Sequence, residues 1–276
     1  MHVMPALADL VPFLAAMVAA GAVAGFLAGL FGIGGGAVLV PVFYQVLGAI
    51  GVDEAIRMHL SVGTSLAIIV PTSLRSFRSH LARGAVDTGL LRTFVVPVPV
   101  GVVAASIIAA YLSGAGLRGI FAVITTLVGL KLLLARENWR IGADIPGNPI
   151  RSVAGFIIGF FSTFMGIGGG IFNNTFMTLY GRPMLQSVAT SSGVGVLISI
   201  PGMFGYVWAG WGEAGLPVLS LGFVNLIMVA VTIPLTLAFA PLGVGVAHRL
   251  SRRQLEVGFG LFLLIVSARF FYSLAG

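Results

Sequence analysis

The chain has 276 residues, 58% of them hydrophobic and only 8% charged, with a formal net charge of +7. A soluble domain carries about 25% charged residues and cannot hide this much apolar surface, so the composition excludes a water-soluble fold and requires an integral membrane protein. Cysteine is absent, which excludes disulfides and thiolate chemistry, and the 14 Arg and one Lys gather in connecting loops, as orientation signals do, rather than in a nucleic-acid patch.

The first apolar segment runs from about residue 10 to 31. It has no preceding Lys or Arg and is longer than a signal h-region, so it reads as a retained helix. Gly32-Ile33-Gly34-Gly35-Gly36 follows, announced upstream by Gly25 and Gly29. Glycine costs roughly 1 kcal/mol against alanine at each helical position, so four glycines in five residues mark a break where backbone faces something. Further apolar segments lie at about 37 to 50, 59 to 77, 90 to 112 and 117 to 135. They fit helices crossing a core of about 30 Å, not the alternating segments of about 10 residues of a barrel. The next stretch, 136–149, contains Arg136, Glu137, Arg140, Asp144 and Pro146-Gly147-Asn148-Pro149, and reads as a linker.

The second half repeats the first. Apolar segments at about 150 to 165, 169 to 181, 187 to 206, 217 to 241 and 255 to 274 include a second break, Gly166-Ile167-Gly168-Gly169-Gly170, announced by Gly155 and Gly159. Ser61-Val62-Gly63-Thr64-Ser65 matches Ser187-Val188-Ala189-Thr190-Ser191 at an offset of 126. The same offset pairs Met58 with Met184, His80 with Tyr206, Gly84 with Gly210, Asp87 with Glu213 and Leu90 with Leu216. Arginine clusters at Arg75, Arg78, Arg83 and Arg92, at Arg136, Arg140 and Arg151, and at Arg249, Arg252 and Arg253 are assigned to the cytoplasm. That puts both termini outside and requires an odd number of crossings per copy, hence inverted copies.

The expected fold is therefore an all-α membrane protein, a polytopic helical bundle of two inverted repeats with five apolar segments each. About eight full crossings are expected, plus two short broken or re-entrant helices after the glycine runs. The units are an N-terminal repeat over 1–135, a cytoplasmic linker over 136–149 and a C-terminal repeat over 150–276. Inverted copies with broken helices point to a secondary-transporter site near the bilayer midplane.

The candidate site is built mostly of backbone. Helices opening after Gly34, Gly35 and Gly36 and after Gly168, Gly169 and Gly170 would point N–H groups and the positive dipole end at an anion. Thr64, Ser65, Thr190 and Ser191 offer hydroxyls, and by symmetry both pairs are expected at one place. Asn173 and Asn174 follow the second run where Leu39 and Val40 stand in the first, so the substrate is expected to be held asymmetrically. Arg75, Arg78, His80 and Tyr206 are candidates for a mouth or gate. The eight carboxylates fall in loops or at segment ends, which argues against a cation path, and the scattered histidines match no metal or nucleophile motif. No metal, cofactor or enzymatic activity is expected; the partners are a small anion and the lipid bilayer.

The glycine runs, the Ser-Val-x-Thr-Ser motifs and Gly84-Ala85-Val86-Asp87 together resemble the sulfite exporter TauE/SafE family of membrane transporters, also called the toluenesulfonate uptake permease family. The resemblance covers nearly the whole chain. It implies transport of small sulfur-containing anions such as sulfite, sulfonates or sulfoacetate across the cytoplasmic (inner) membrane. Asn173-Asn174, and Ala189 where the first copy has Gly63, depart from a symmetric pattern. A passive anion channel of the same fold and an intramembrane lipid-handling protein are the alternatives.

Overall fold

A computed structural model describes residues 18–19, 21–27, 30, 36–134, 140–247 and 249–275. The first glycine run up to Gly35, and so Gly34 and Gly35 as site candidates, lies outside the described residues. Among these residues ten helices have defined bounds. They are α1 (Gly36–Ala49), α2 (Glu54–Ala82), α3 (Thr88–Phe94), α4 (Pro97–Tyr111), α5 (Gly114–Leu134), α6 (Ile150–Phe164), α7 (Gly170–Leu179), α8 (Met184–Ala209), α9 (Leu226–Ala247) and α10 (Arg252–Ala275). A short hairpin, β1 (Ser220–Leu221) with β2 (Val224–Asn225), precedes α9.

Five helices are long and apolar enough to cross a membrane: α2, α5, α8, α9 and residues Arg253–Leu274 of α10. The bent pair α3 and α4, meeting at 41°, makes a sixth if counted as one span. Eight crossings were expected, and five or six are what the described residues supply. The apolar segment 90 to 112 is broken at Val95-Val96 because Pro97 opens a new helix without an N–H to continue the old one. α6, expected as a crossing, has 15 residues and reaches about 22 Å. The short helices expected after the breaks are present as α1 with 14 residues and α7 with 10. The segment expected at 217 to 241 begins instead with the hairpin, and its helix starts only at Leu226.

α2 extends beyond the apolar window 59 to 77 at both ends. Its N-cap Asp53 accepts from Ala55 N at 2.9 Å, and the chain leaves the helix through Gly84 at φ +65°. At 29 residues α2 is about 44 Å long, so its polar ends reach past the hydrocarbon.

The centre of the fold is the pairing of α2 with α8. A methyl on Gly202 would lie 3.0 Å from Leu66 Cδ1, one on Gly195 2.5 Å from Ser73 Oγ, and one on Gly193 3.0 Å from Phe77 Cδ2. A methyl on Gly63 would lie 2.9 Å from Tyr206 Cβ. Partner numbers fall along α8 as they rise along α2, so the two helices are antiparallel, and small residues let them approach closely. α5 and α10 are also antiparallel. Ser267 Oγ donates to Ala122 O at 2.9 Å and meets Thr126 Oγ1, while Arg253 Nη1 caps Leu132 O at 3.0 Å at the α5 C-terminus.

Outside this centre the same contact occurs twice. Gly21 packs on Leu235 and Gly25 on Thr236; Gly155 packs on Pro97 and Gly159 on Val98. In each couple the glycines are 134 positions apart and their partners 138.

Gly195→Val is expected to overpack the α2–α8 seam against Ser73 and cost about 1–3 kcal/mol. That is a fall of roughly 2–4 °C per kcal/mol in detergent melting curves. Gly245→Ala is the control, because a methyl there meets nothing within 4 Å, and its melting temperature is expected to hold.

Candidate functional site

The second glycine run is where the backbone turns. α6 closes with Gly166 N donating to Thr163 O at 3.1 Å and Ile167 N to Ser162 O at 3.0 Å. Gly166 and Gly169 take φ values of +61° and +72°, which a side chain would strain. Gly169 is the N-cap of α7 and supplies no side-chain cap. The N–H groups of the first turn of α7 have no intrahelical acceptor, and the first bond back to the cap is Asn173 N to Gly169 O at 2.9 Å. Gly168 and Gly170 are partly exposed, whereas Phe164 to Ile167 are buried.

The break is held from both halves. Ser65 Oγ of α2 donates to Gly166 O at 2.8 Å in a buried bond. Gly36, the last residue of the first run, abuts it: a methyl there would lie 2.5 Å from Gly166 O and 2.8 Å from Ile167 Cα. Ile69 and Ser73 of α2 and Val194, Gly195 and Ile198 of α8 line Gly168 and Gly169. Gly36 and the second run thus meet between the antiparallel central helices.

One turn further along α7 lies the asymmetric polar pair. Ser191 Oγ donates to Asn174 Oδ1 at 2.6 Å and accepts from Asn173 Nδ2 at 2.8 Å. Asn173 Nδ2 also contacts Met177 Sδ at 3.4 Å. Asn173 is fully buried, and its Oδ1 has no hydrogen-bond partner among the described residues. Leu39 and Val40 at the matching positions of α1 are buried apolar side chains. Ser191, Asn173, Asn174 and Gly168 to Gly170 therefore form one neighbourhood, supported by Ser65 and Gly36. Sequence reading missed Ser73 beside it, and also passed over its counterpart by offset in α8, Ser199, whose buried Oγ is without a partner among the described residues and which is not shown to touch the site. Their separation of 126 is the signal that would have found them.

The two threonines do not share a place. Thr64 Oγ1 accepts from Asn225 N at 3.0 Å, and Thr190 Oγ1 accepts from Asp87 N at 2.9 Å. Because α2 and α8 are antiparallel, Thr64 lies at the level of Tyr206 and Thr190 beyond the level of Phe77, about 20 Å away along α2. Each threonine of one half holds the residue just before a helix in the other. Asp87 Oδ1 then accepts from Leu90 N and Asn225 Oδ1 from Met228 N, both at 2.9 Å. The counterpart of Asp87 is therefore Asn225 at an offset of 138. Glu213, its partner by sequence offset, is exposed in a loop. The loop and hairpin between Gly210 and Asn225, set against the short connection at 84–87, supply the twelve extra positions.

Of the gate candidates, Arg75 and Arg78 are exposed and His80 is half-buried at the C-terminal end of α2. Tyr206 is fully buried instead, packed on Gly63 beneath the hairpin, with its carbonyl accepting from Phe223 N at 3.1 Å. His80 and Tyr206 lie at opposite ends of α2, so they are not parts of a single gate.

The family model described as sulfite exporter TauE/SafE matches residues 17–270. The chain belongs to this family. A "probable membrane transporter protein" of Haemophilus influenzae is 33% identical over 252 residues, covering 91% of this chain and 95% of the relative. Another of that description from Methanocaldococcus jannaschii is 25% identical, covering 90% and 94%, and one from Bacillus subtilis is 25% identical, covering 70% and 78%. No solved structure matches the chain. As a TauE/SafE family member with several membrane-length helices, it is an integral multi-pass membrane protein of a transporter family.

Thr64→Val and Thr190→Val are each expected to leave a backbone N–H unpaired, at a cost of about 1–3 kcal/mol. Thr→Ser at either position is expected to retain stability. Thermal unfolding of the four variants in detergent checks this; equal stability of Val and Ser variants would contradict the assigned bonds.

Proposed function

We propose that this TauE/SafE family member is a secondary transporter of small sulfur-containing anions such as sulfite, sulfonates or sulfoacetate, working by alternating access. The observation that carries the reading is the meeting of Gly36 with Gly166 and Ile167 between α2 and α8, where the uncapped N-terminus of α7 opens. Backbone N–H groups at Gly168, Gly169 and Gly170 would receive the anion, with Ser191, Asn173 and Asn174 setting its orientation on one side. Gly34, Gly35 and Gly36 would supply the matching end of the first half. Ser65, Thr64 and Thr190 act in this reading as supports for the break and the helix starts.

The antiparallel pairs α2 with α8 and α5 with α10, the doubled glycine contacts and the two threonine bonds all support two inverted repeats, 1–135 and 150–276, about a linker at 136–149. One repeat moving against the other would carry the site from face to face. The arginine-rich end of α2, with Arg75, Arg78 and His80, is assigned to the cytoplasmic mouth of an inner-membrane protein, and both termini to the outside. Tyr206 is assigned to closure at the opposite end.

Uptake of labelled sulfite into proteoliposomes tests the proposal. Trans-stimulation by unlabelled sulfite is expected of a transporter, and its absence during rapid flux would identify a channel. Ser191→Ala with Asn174→Ala is expected to lower sulfite uptake on the order of ten-fold or more, since hydrogen bonds to a charged ligand are worth about 1.5–3 kcal/mol. Unchanged uptake in that folded variant would remove these side chains from the site.

A further inference from the structure

Arg118, in the second turn of α5, is buried inside the bundle with 4% of its surface exposed. Its Nη1 donates to Tyr44 Oη at 2.6 Å and pairs with Glu54 Oε1, to which Tyr44 Oη also donates at 3.3 Å. Arg118 Nε is buried and has no hydrogen-bond partner among the described residues. A second guanidinium, Arg57, lies with its Cζ 5.2 Å from the centroid of the Tyr44 ring, anchored through Nε and Nη2 to Val52 O at 3.2 and 2.8 Å. Phe270 packs edge-on against the same ring at 5.0 Å. This corner, where α1 ends and α2 and α5 begin, is at the far end of α2 from Arg75 and Arg78.

The balance of groups is unusual for a structural ion pair. A guanidinium and a phenol converge on one carboxylate, with a second guanidinium over the phenol ring, and that carboxylate is the loosest member: the Glu54 side chain is 55% exposed against 5% for Arg118. A buried guanidinium needs most of its donors paired to offset its lost hydration, and Arg118 leaves Nε unpaired. A planar donor fork beside a hydroxyl is the chemistry that receives an oxyanion.

We propose that the Tyr44–Arg118 corner is a binding site for a small oxyanion of the carboxylate, sulfite or sulfonate class, in which the Glu54 carboxylate is a resident occupant that the incoming anion displaces. Glu54 swings into solvent as the anion takes its place on Arg118 and Tyr44, so charge is conserved at the corner and no buried cation is left bare. Arg57 adds positive potential at the approach. The site uses side-chain cations at a helix-end corner and does not depend on the glycine-run site.

The test is titration of the purified full-length protein in neutral detergent with sodium sulfite at constant ionic strength, following heat and melting temperature. Glu54→Gln removes the internal competitor and is expected to tighten sulfite binding on the order of ten-fold. Adding Arg118→Lys, which keeps the charge and loses the fork, is expected to abolish that gain. A folded E54Q protein that binds sulfite no more tightly than the parent overturns the proposal, because a purely structural ion pair predicts lost stability without gained affinity. Stabilisation of E54Q by phosphatidylglycerol but not by sulfite also overturns it, in favour of a lipid headgroup. The readout is binding, not flux, so failure of sulfite uptake in proteoliposomes leaves this result standing, and an E54Q failure leaves the transport reading standing.

Discussion

A chain that breaks its helix inside a membrane must find protein partners for the exposed backbone, because lipid has none to offer. The structure around Gly166 to Gly170 follows from that constraint. Ser162 and Thr163 carbonyls take the N–H groups that end α6, and Ser65 from the other half of the chain takes the carbonyl of Gly166. Gly36 and Gly195 bring the surrounding backbone close enough to shield what remains. What stays open is the first turn of α7, and it is there that the proposed site lies.

The same economy governs how the halves hold each other. Thr64 and Thr190 stand well inside their helices, yet each hydroxyl oxygen accepts from the N–H of the residue just before a helix from the opposite half. Asp87 and Asn225 then cap those helices from within. The bonds lie at opposite ends of the α2–α8 seam, so motion of one half against the other would work on them unequally. In the proposed mechanism they are places where the closed and open forms would differ.

Polarity is distributed unevenly about this frame. On the second-half side Asn173, Asn174 and Ser191 form a buried network, while Leu39 and Val40 keep the first-half side apolar. Charge follows a different rule. Most of the described arginines lie toward helix ends or in connections, as the positive-charge bias of membrane proteins predicts, but Arg118 is inside, paired with Tyr44 and Glu54.

Composition and local spacing alone determined the membrane class, the helix break at Gly166 to Gly169, the short helices α1 and α7 and the asymmetry at Asn173-Asn174, because each is written in adjacent residues. Family membership was legible from the same motifs. Among the described residues five or six of the eight expected crossings are membrane-length: hydropathy does not register the proline restart at Pro97 or the short length of α6, and most of the first expected crossing lies outside those residues. Only the tertiary structure decided that Thr64 and Thr190 lie far apart, that Asp87 answers to Asn225 rather than Glu213, that Tyr206 is buried, and that Tyr44, Glu54 and Arg118 converge. The physical reason is that helix direction and the approach of distant helices set these neighbours. An insertion of twelve residues shifts the register without disturbing any local signal that a sequence offset can follow.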